Sequence, residues 1–345
     1  MGNAPLSCRH DQTSEEDSRR QSLIQLGNQA YQRDDYTQAI HYHSRALQDS
    51  SHHPSTSVER AQCLDYLCKE HWRVGSIDQA LAFAQESLAV KQSLSKTTTT
   101  ASHADSIAKT LSDMGCIFYE RGDYDQALDF LQQALEMRQH HVPETVSVAV
   151  SCTNLALVYS KLGKTTRARE LHQQACAIRE ALQPGSMALA RTYMNLSNHC
   201  YNSSTHEQQQ QAWKYLEKAE AIVQTIRPAP LSLMASVEVQ RGNLLLLLCQ
   251  QEESTSRNKY AADAIACYEL AICTEERVAP DSLILASMYT RLARACEEEA
   301  AGLLEEARAA RAKSLQIYRR KSPGYLETKK TLIAKDKNGE IGYEI

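Results

Sequence analysis

The chain has 345 residues, of which 23% are charged, and its formal net charge is −4. A nucleic-acid-binding protein of this size is expected to carry a basic excess, so the composition argues against that class. Glycine and proline are sparse, at 12 and 8 residues, while alanine, leucine and glutamine are abundant. This composition favours α-helix throughout the chain.

Eleven cysteines are dispersed along the chain, and none of them forms a CxxC pair. Dispersed thiols are typical of a reduced, intracellular protein, so we expect a cytoplasmic location. Residues 1–20 contain no apolar segment of a signal peptide. The longest uninterrupted apolar run, Leu244–Cys249, is too short to cross a bilayer. We therefore expect a soluble protein with no membrane span.

The first predicted element is a polar, charge-mixed tail at residues 1–18, for which we expect disorder. It begins Met1-Gly2-Asn3, and Gly2 and Cys8 are candidates for myristoylation and palmitoylation. Leu6 occupies the position where the myristoylation motif requires Ser or Thr. Two acyl chains would give a stable membrane anchor, so a lipid-anchored adaptor is one alternative function.

Residues 19–322 are predicted to form an array of helix pairs, and its clearest copy is LSDMGCIFYERGDYDQALDFLQQAL at 111–135. Gly115 lies in the first helix, Gly122 at a turn, and Ala127 and Ala134 about two turns apart in the second helix. The missing side chain of Gly115 lets the second helix approach, and the two alanines accommodate large residues of the first. This pattern resembles the tetratricopeptide repeat.

The same frame recurs along the chain, with a degenerate last copy. The frame positions in the predicted second helices are Ala39 and Ala46, Ala80 and Leu88, Ala127 and Ala134, Ala168 and Ala175, Ala212 and Ala219, Ala264 and Ala271, and Ala307 and Leu315. We therefore predict an all-α, right-handed superhelical solenoid of about seven helix pairs. A capping helix and tail at residues 323–345 would cover its open end.

The repeat is longer than the roughly 34 residues of the standard tetratricopeptide unit. Pro143, Pro184 and Pro280 each precede an alanine by the same interval at the repeat junctions. Junctions such as APDSLILASMY and the core strings NLALVYSKLG and MNLSNHCY resemble the kinesin light chain type of array. The resemblance covers the array only, and it implies a protein-binding scaffold.

Catalytic and metal-binding signatures do not occur in the sequence, which lacks HExxH, a glycine-rich phosphate loop and GxSxG. We therefore expect no enzymatic activity, no cofactor and no metal ion. A rival hypothesis is a regulatory subunit whose array senses a small ligand. It predicts a compact pocket with perturbed titrating groups.

The first helices of such an array line a concave groove, and residues beside the small residue of each first helix are predicted to face it. Amides there can hydrogen-bond the main chain of a peptide, and arginines can bind a carboxylate or phosphate. Asn154 and Asn195 match the asparagine that lines the peptide groove of kinesin-light-chain-like arrays. The candidate groove residues are Lys109, Asp113, Asn154, Arg191, Asn195, Asn198, Gln240, Asn243, Arg291 and Arg294.

The predicted function is a scaffold or adaptor that binds a segment of another protein in this groove, with no nucleic acid as partner. The competing explanation is that the exposed Asn and Arg side chains only solvate the array. Receptors for chaperone C-termini have this repeat and use a basic clamp, which Asn28 and Lys109 fit in part. Asp113 occupies a clamp position and would repel a terminal carboxylate, so we expect no binding of chaperone tails.

Overall fold

The computed structural model describes residues 6–49, 57–95, 100–201, 205–251, 255–280, 282–298 and 304–321. Within these ranges the chain forms fourteen α-helices and no β-strand. Each odd-numbered helix packs against the even-numbered helix that follows it, which gives seven helix pairs. The predicted all-α class and the predicted number of pairs are confirmed.

The helices are named in chain order, and the odd-numbered ones are the first helices of their pairs. They are α1 (Leu6–Gln32), α2 (Tyr36–Asp49), α3 (Ser57–Val74), α4 (Ile77–Ser95), α5 (Ala101–Arg121), α6 (Tyr124–His141), α7 (Val146–Lys161), α8 (Thr165–Leu182), α9 (Met187–Tyr201), α10 (His206–Thr225), α11 (Leu231–Gln251), α12 (Thr255–Val278), α13 (Leu283–Glu298) and α14 (Leu304–Lys321).

The chain divides into two compact units, Met1–Leu182 and Gln183–Ile345. We call them unit 1, with α1–α8, and unit 2, with α9–α14. Within each unit the second helix of one pair also contacts the first helix of the next pair. Each unit is therefore a stack of helix pairs.

Glycine residues end the first helices of three successive pairs in unit 1. Gly75, Gly122 and Gly163 have φ angles of 84°, 89° and 69°, in the left-handed region that a residue without Cβ adopts at little cost. The amide of Asp123 donates to the carbonyl of Phe118 at 2.9 Å, which closes the turn after α5. The predicted turn at Gly122 is confirmed.

The small residue of the first helix packs directly against a large residue of the second. A Cβ added at Gly115 would lie 2.6 Å from Cγ of Leu131, and one at Gly242 would lie 2.8 Å from the ring of Tyr268. Such distances are far inside normal van der Waals contact, so only glycine fits these positions without movement of the neighbour. The predicted close approach at Gly115 is confirmed.

The alanine frame is buried along the whole array. Its members are Ala39, Ala46, Ala80, Ala127, Ala134, Ala168, Ala175, Ala212, Ala219, Ala264, Ala271 and Ala307, each at most 1% exposed. In the second and seventh pairs the other frame position was placed one residue too late. Ser87 and Ser314 are buried there, whereas Leu88 and Leu315 are only half-buried.

Helix α1 begins before residue 19, where the array was predicted to start. Helix α1 begins at Leu6, inside the segment 1–18 that the sequence predicted to be disordered. The residues between Leu6 and the buried Arg20 include no glycine or proline, so the helix can extend from its packed end without interruption. Residues 1–5 and the predicted capping helix and tail at 323–345 lie outside the described residues.

Helix α11 is, by length and composition alone, apolar enough to cross a membrane. Its position in the fold gives another reason for its apolar character. It packs along α12 and also contacts α9, α10 and α13, and its buried residues include the polar Gln240 and Asn243. These contacts are those of a core helix in a repeat stack.

Candidate functional site

In unit 1 the first helices α5 and α7 carry three of the predicted groove residues on adjoining surfaces. Lys109 is exposed, and Asp113 and Asn154 are half-buried. Nδ2 of Asn154 donates to Sγ of Cys116 on α5 at 3.4 Å, so the amide bridges the two helices. This contact uses the donor side of the amide and leaves its Oδ1 to accept a hydrogen bond.

Two apolar side chains flank Asn154 on the same side of α7. Val150 and Leu157 lie four residues before it and three residues after it, so all three share one helix face. They are 39% and 38% exposed, so both present apolar surface to solvent beside the amide. We call Lys109, Asp113, Val150, Asn154 and Leu157 the unit 1 face.

The charged groups of the unit 1 face influence one another. Burial raises the pKa of Asp113, and the nearby Lys69 and Lys109 oppose that rise. Burial lowers the pKa of Lys109, and the positive charge of Lys69 lowers it further. The face therefore combines one ammonium group, one carboxyl group and apolar surface, and Lys69 lies close to both charged groups.

In unit 2 the first helix α9 carries Arg191, Asn195 and Asn198 at spacings of four and three residues. These spacings place the three side chains on one side of the helix. Arg191 and Asn198 are exposed and Asn195 is half-buried. On α13, Arg291 is half-buried and Arg294 is exposed. We call these five residues the unit 2 face.

Gln240 and Asn243 on α11 were predicted to face the groove, and the structure corrects this prediction. They are only 3% and 6% exposed. Nε2 of Gln240 donates to Ser197 at 3.3 Å, and Nδ2 of Asn243 donates to Gln240 at 3.3 Å. Oδ1 of Asn243 accepts from Tyr268 at 2.8 Å and from Arg291 at 2.7 Å. The two amides therefore position Arg291 from inside the stack.

The sequence did not identify a row of buried cations in unit 1. Lys91, near the end of α4, is 4% exposed. Its Nζ donates to Asp65 at 2.6 Å on α3 and to Thr110 at 2.7 Å on α5. It therefore binds the first helix of its own pair and the first helix of the next pair.

Arg138 on α6 repeats this arrangement one helix pair later. It is 5% exposed and donates to Asp105 at 2.8 Å and Ser112 at 3.2 Å on its own pair's α5. It also donates to Ser151 on α7, in the next pair, at 2.7 Å. The hydroxyl groups and the carboxylate together satisfy a guanidinium that is almost fully removed from water.

Arg179 on α8 occupies the same repeat position and donates to Thr153 of α7 at 2.9 Å. Lys91, Arg138 and Arg179 each follow the second small residue of their helix by four positions. That fixed offset was a signal in the sequence. It was missed because a basic residue near a helix C-terminus is ordinarily solvent-exposed there.

Most cysteines within the described ranges are buried, and Cys273 is exposed. Burial raises the pKa of Cys63, Cys68 and Cys116 to about 12, so these thiols stay protonated at neutral pH. The structure gives no side-chain contacts for the two predicted acylation sites. Gly2 lies outside the described residues, and Cys8 lies in α1 with its side chain outside the description.

Family models match three segments of the chain. Two tetratricopeptide repeat models match residues 108–141 and 148–182. A third model, described as the prolyl 4-hydroxylase peptide-substrate-binding domain, matches residues 21–103. A search of curated proteins finds no match.

Three solved structures are similar to the chain over most of its length. BtubC (BKLC) from P. vanneervenii is 20% identical with a TM-score of 0.58, over 70% of this chain and 92% of that one. The apo form of RapI is 15% identical with a TM-score of 0.65, over 88% of this chain and 99% of that one. The Rap conjugation gene regulator of plasmid pLS20, in complex with the Phr* peptide, is 13% identical with a TM-score of 0.58, over 86% and 73%.

At these identities the solved structures support the fold alone, and the finer resemblance to kinesin light chains stays a prediction. The seven helix pairs, the buried alanine frame and the matched repeat models agree with one another. Together they identify the chain as a tetratricopeptide-repeat protein.

Proposed function

We propose that the chain is a protein-interaction scaffold whose first helices bind an extended segment of a partner protein. The observation that carries the proposal is the arrangement around Asn154. Its Oδ1 can accept a main-chain N–H, and Val150 and Leu157 on either side remain exposed. An extended peptide presents a main-chain donor with side chains beside it, which this arrangement complements.

The unit 2 face supports the same function with different chemistry. Asn195 and Asn198 lie on one side of α9, and an amide can both donate to and accept from a peptide group. Arg191 on the same side adds five N–H donors that bind carboxylate or carbonyl oxygens. Unlike Gln240 and Asn243, these three side chains are not buried in the stack.

The comparisons support the capacity of this architecture to hold a peptide. A solved structure of the same fold contains a bound peptide, and residues 21–103 match a domain described by its binding of a peptide substrate. Neither finding identifies the partner of this chain. The buried Cys63, Cys68 and Cys152 are reduced thiols, which fits our further proposal of a cytoplasmic location.

A pull-down from native lysate, analysed by mass spectrometry, tests the proposal. The wild-type chain is compared with the triple variant Asn154→Ala, Arg191→Glu, Asn195→Ala. We expect a set of partners to be lost, with each single change weakening binding by about 1–2 kcal/mol because many modest contacts share the affinity. The matched control is Gln173→Ala with Arg277→Glu, which changes exposed side chains of second helices.

Partners that bind the wild type and the control but not the triple variant would define the bound segment. Circular dichroism of all three proteins checks that the helix content is unchanged. If the triple variant retains every partner of the wild type, the first-helix faces are not the binding site and the proposal is wrong.

A further inference from the structure

Arg291 is held by an uncharged partner. The residue is half-buried, and its guanidinium donates to Oδ1 of Asn243 at 2.7 Å. Within the described part of unit 2, no carboxylate lies within ion-pair distance of Arg291. An amide oxygen satisfies one N–H donor but does not neutralise the positive charge, and a charge partly removed from water is costly unless an opposite charge compensates it.

Arg241 on α11 shows the usual arrangement in the same unit. It lies 2.6 Å from Glu220 and 3.3 Å from Glu238, and its guanidinium is similarly half-buried. Its charge is therefore compensated within the fold. Arg291 differs because its hydrogen-bond partner, Asn243, is neutral.

The hydrogen bonds beneath Arg291 fix its position. Asn243 is 6% exposed, and its amide also accepts from Tyr268 and donates to Gln240. Such a network limits the rotation of the Asn243 side chain, so its acceptor presents one direction to the guanidinium. Arg291 is therefore preorganised, which lowers the entropy cost of binding a ligand.

The charged members of the unit 2 face are all positive. The face contains three arginines and no aspartate or glutamate. Arg191 and Arg291 lie on α9 and α13, two first helices that both contact α11. Packed helices are about 8–10 Å apart, so the axes of α9 and α13 lie within about 20 Å of each other, and the two arginines can bind different carboxylates.

We propose that the unit 2 face binds the acidic side chains of an extended partner segment, with Arg191 and Arg291 binding different carboxylates. This inference rests on the proposed function and names the chemistry of the bound segment. An extended chain advances about 3.3 Å per residue, so acidic residues a few positions apart span the distance between α9 and α13. The charge comes from side chains within the segment and requires no free C-terminus.

Fluorescence anisotropy with a defined probe tests the inference. The probe is a labelled peptide of alternating glutamate and serine, about ten residues long, with an acetylated N-terminus and an amidated C-terminus. The matched peptide has glutamine in place of glutamate. We expect the full chain to bind the glutamate peptide about tenfold more tightly, and this preference to weaken as salt is added.

Single variants test whether the unit 2 face causes the preference for the glutamate peptide. Arg291→Gln and Arg191→Gln are each expected to weaken binding of the glutamate peptide about tenfold, since each removes a charge-assisted contact. Arg277→Gln, an exposed change on α12, is expected to have no effect. Arg191 is exposed, so its variant tests the inference even if Arg291→Gln lowers stability.

Equal binding of the two peptides would overturn the inference, as would normal binding by both the Arg191 and Arg291 variants. The lysate experiment separates this failure from failure of the proposed function. If the triple variant loses partners while the glutamate peptide does not bind, the function stands and acidic recognition is wrong. If no partner is lost and the peptide does not bind, both are wrong.

Discussion

The junction between α4 and α5 in unit 1 is polar, whereas the junction between α10 and α11 in unit 2 has apolar side chains at the same repeat positions. Lys91 follows the second small residue of its helix by four positions, and Val223 does so in unit 2. Thr110 precedes the glycine of the next first helix by five positions, and Val237 does so in unit 2. All four residues are buried. The same two repeat positions are therefore occupied by hydrogen-bonding side chains at one junction and by apolar side chains at the other.

The difference shows that the small-residue frame determines the helix pair but not the junction between pairs. Alanine and glycine at the frame positions allow close packing within every pair. At the junction the geometry accepts either a cation with hydroxyl and carboxylate partners or apolar groups of similar size. A hydrogen bond requires a particular direction. We therefore expect substitutions at the polar junctions of unit 1 to destabilise the fold more than substitutions at the junction that contains Val223.

The largest effect is expected from Lys91→Met. The change leaves the Asp65 carboxylate, which is 15% exposed, without its cation. Removing one partner of a buried ion pair costs about 3–5 kcal/mol, and we expect the free energy of unfolding to fall by this order. Urea denaturation followed by circular dichroism measures it, with hydrogen exchange in α4 locating the change.

Two controls accompany Lys91→Met. Lys161→Met alters an exposed lysine of the same unit and is expected to have little effect. Adding Asp65→Asn to Lys91→Met removes both charges and is expected to recover part of the lost stability. A loss no greater for Lys91→Met than for Lys161→Met would mean that the polar junction does not stabilise unit 1.

A smaller effect is expected from adding one methyl group to the close contact within a pair. Gly115→Ala and Gly242→Ala each place a Cβ within 3 Å of a large side chain, and overpacking of this kind costs about 1–3 kcal/mol. Thermal denaturation compares the two. The consequences for binding differ, because Tyr268, which contacts Gly242, also donates to Asn243.

We therefore expect Gly242→Ala to weaken binding of the glutamate peptide and Gly115→Ala to leave it unchanged. Displacement of the Tyr268 ring would disturb the amide that holds Arg291. Equal peptide binding by the two variants would show that the position of Arg291 does not depend on this network.

The smallest effect concerns Asp113, the carboxyl group of the unit 1 face. Burial raises its pKa in the folded chain, so the folded state binds the proton more tightly than the unfolded state. The free energy of unfolding is then highest below the ordinary pKa of Asp and falls as the pH rises to the folded pKa. Asp113→Asn removes the ionisable group, so the free energy of unfolding of the variant does not fall with pH for this reason.

The Asp113→Asn variant should melt close to the wild type at pH 3 and slightly above it at pH 7. Thermal melts at the two pH values measure the difference. The exposed Asp125→Asn on α6 is the control and should show no such pattern. A lower melting temperature for Asp113→Asn at pH 7 would mean that Lys69 and Lys109 outweigh the effect of burial.

The sequence predicted the features that depend on contacts within one helix pair. Gly115, Ala127 and Ala134 lie close together along the chain, and their spacing reflects the geometry of a single pair. Such contacts leave a repeating pattern of small residues. The number of pairs and the turn at Gly122 follow from the same pattern.

Features that depend on contacts between pairs were harder to predict. Asn243 meets Arg291 from the next first helix, 48 residues later, and polar residues at such positions look like exposed groove residues in the sequence. Whether they are exposed depends on how closely α9, α11 and α13 approach. The start of α1 was misplaced for another reason, because polar residues without glycine or proline permit a helix as well as a disordered tail.

The buried cations of unit 1 also bear on how a repeat protein can evolve. Duplication and shuffling of repeats require that any copy can stand beside any other. A pair ending in Arg138 needs a hydroxyl such as Ser151 in its successor, whereas Val237 occupies the corresponding position in unit 2. Moving the α11–α12 pair next to Arg138 would bury a cation against a methyl group. Repeat order in this chain is therefore constrained by the chemistry of neighbouring copies, even though the small-residue frame is shared by all of them.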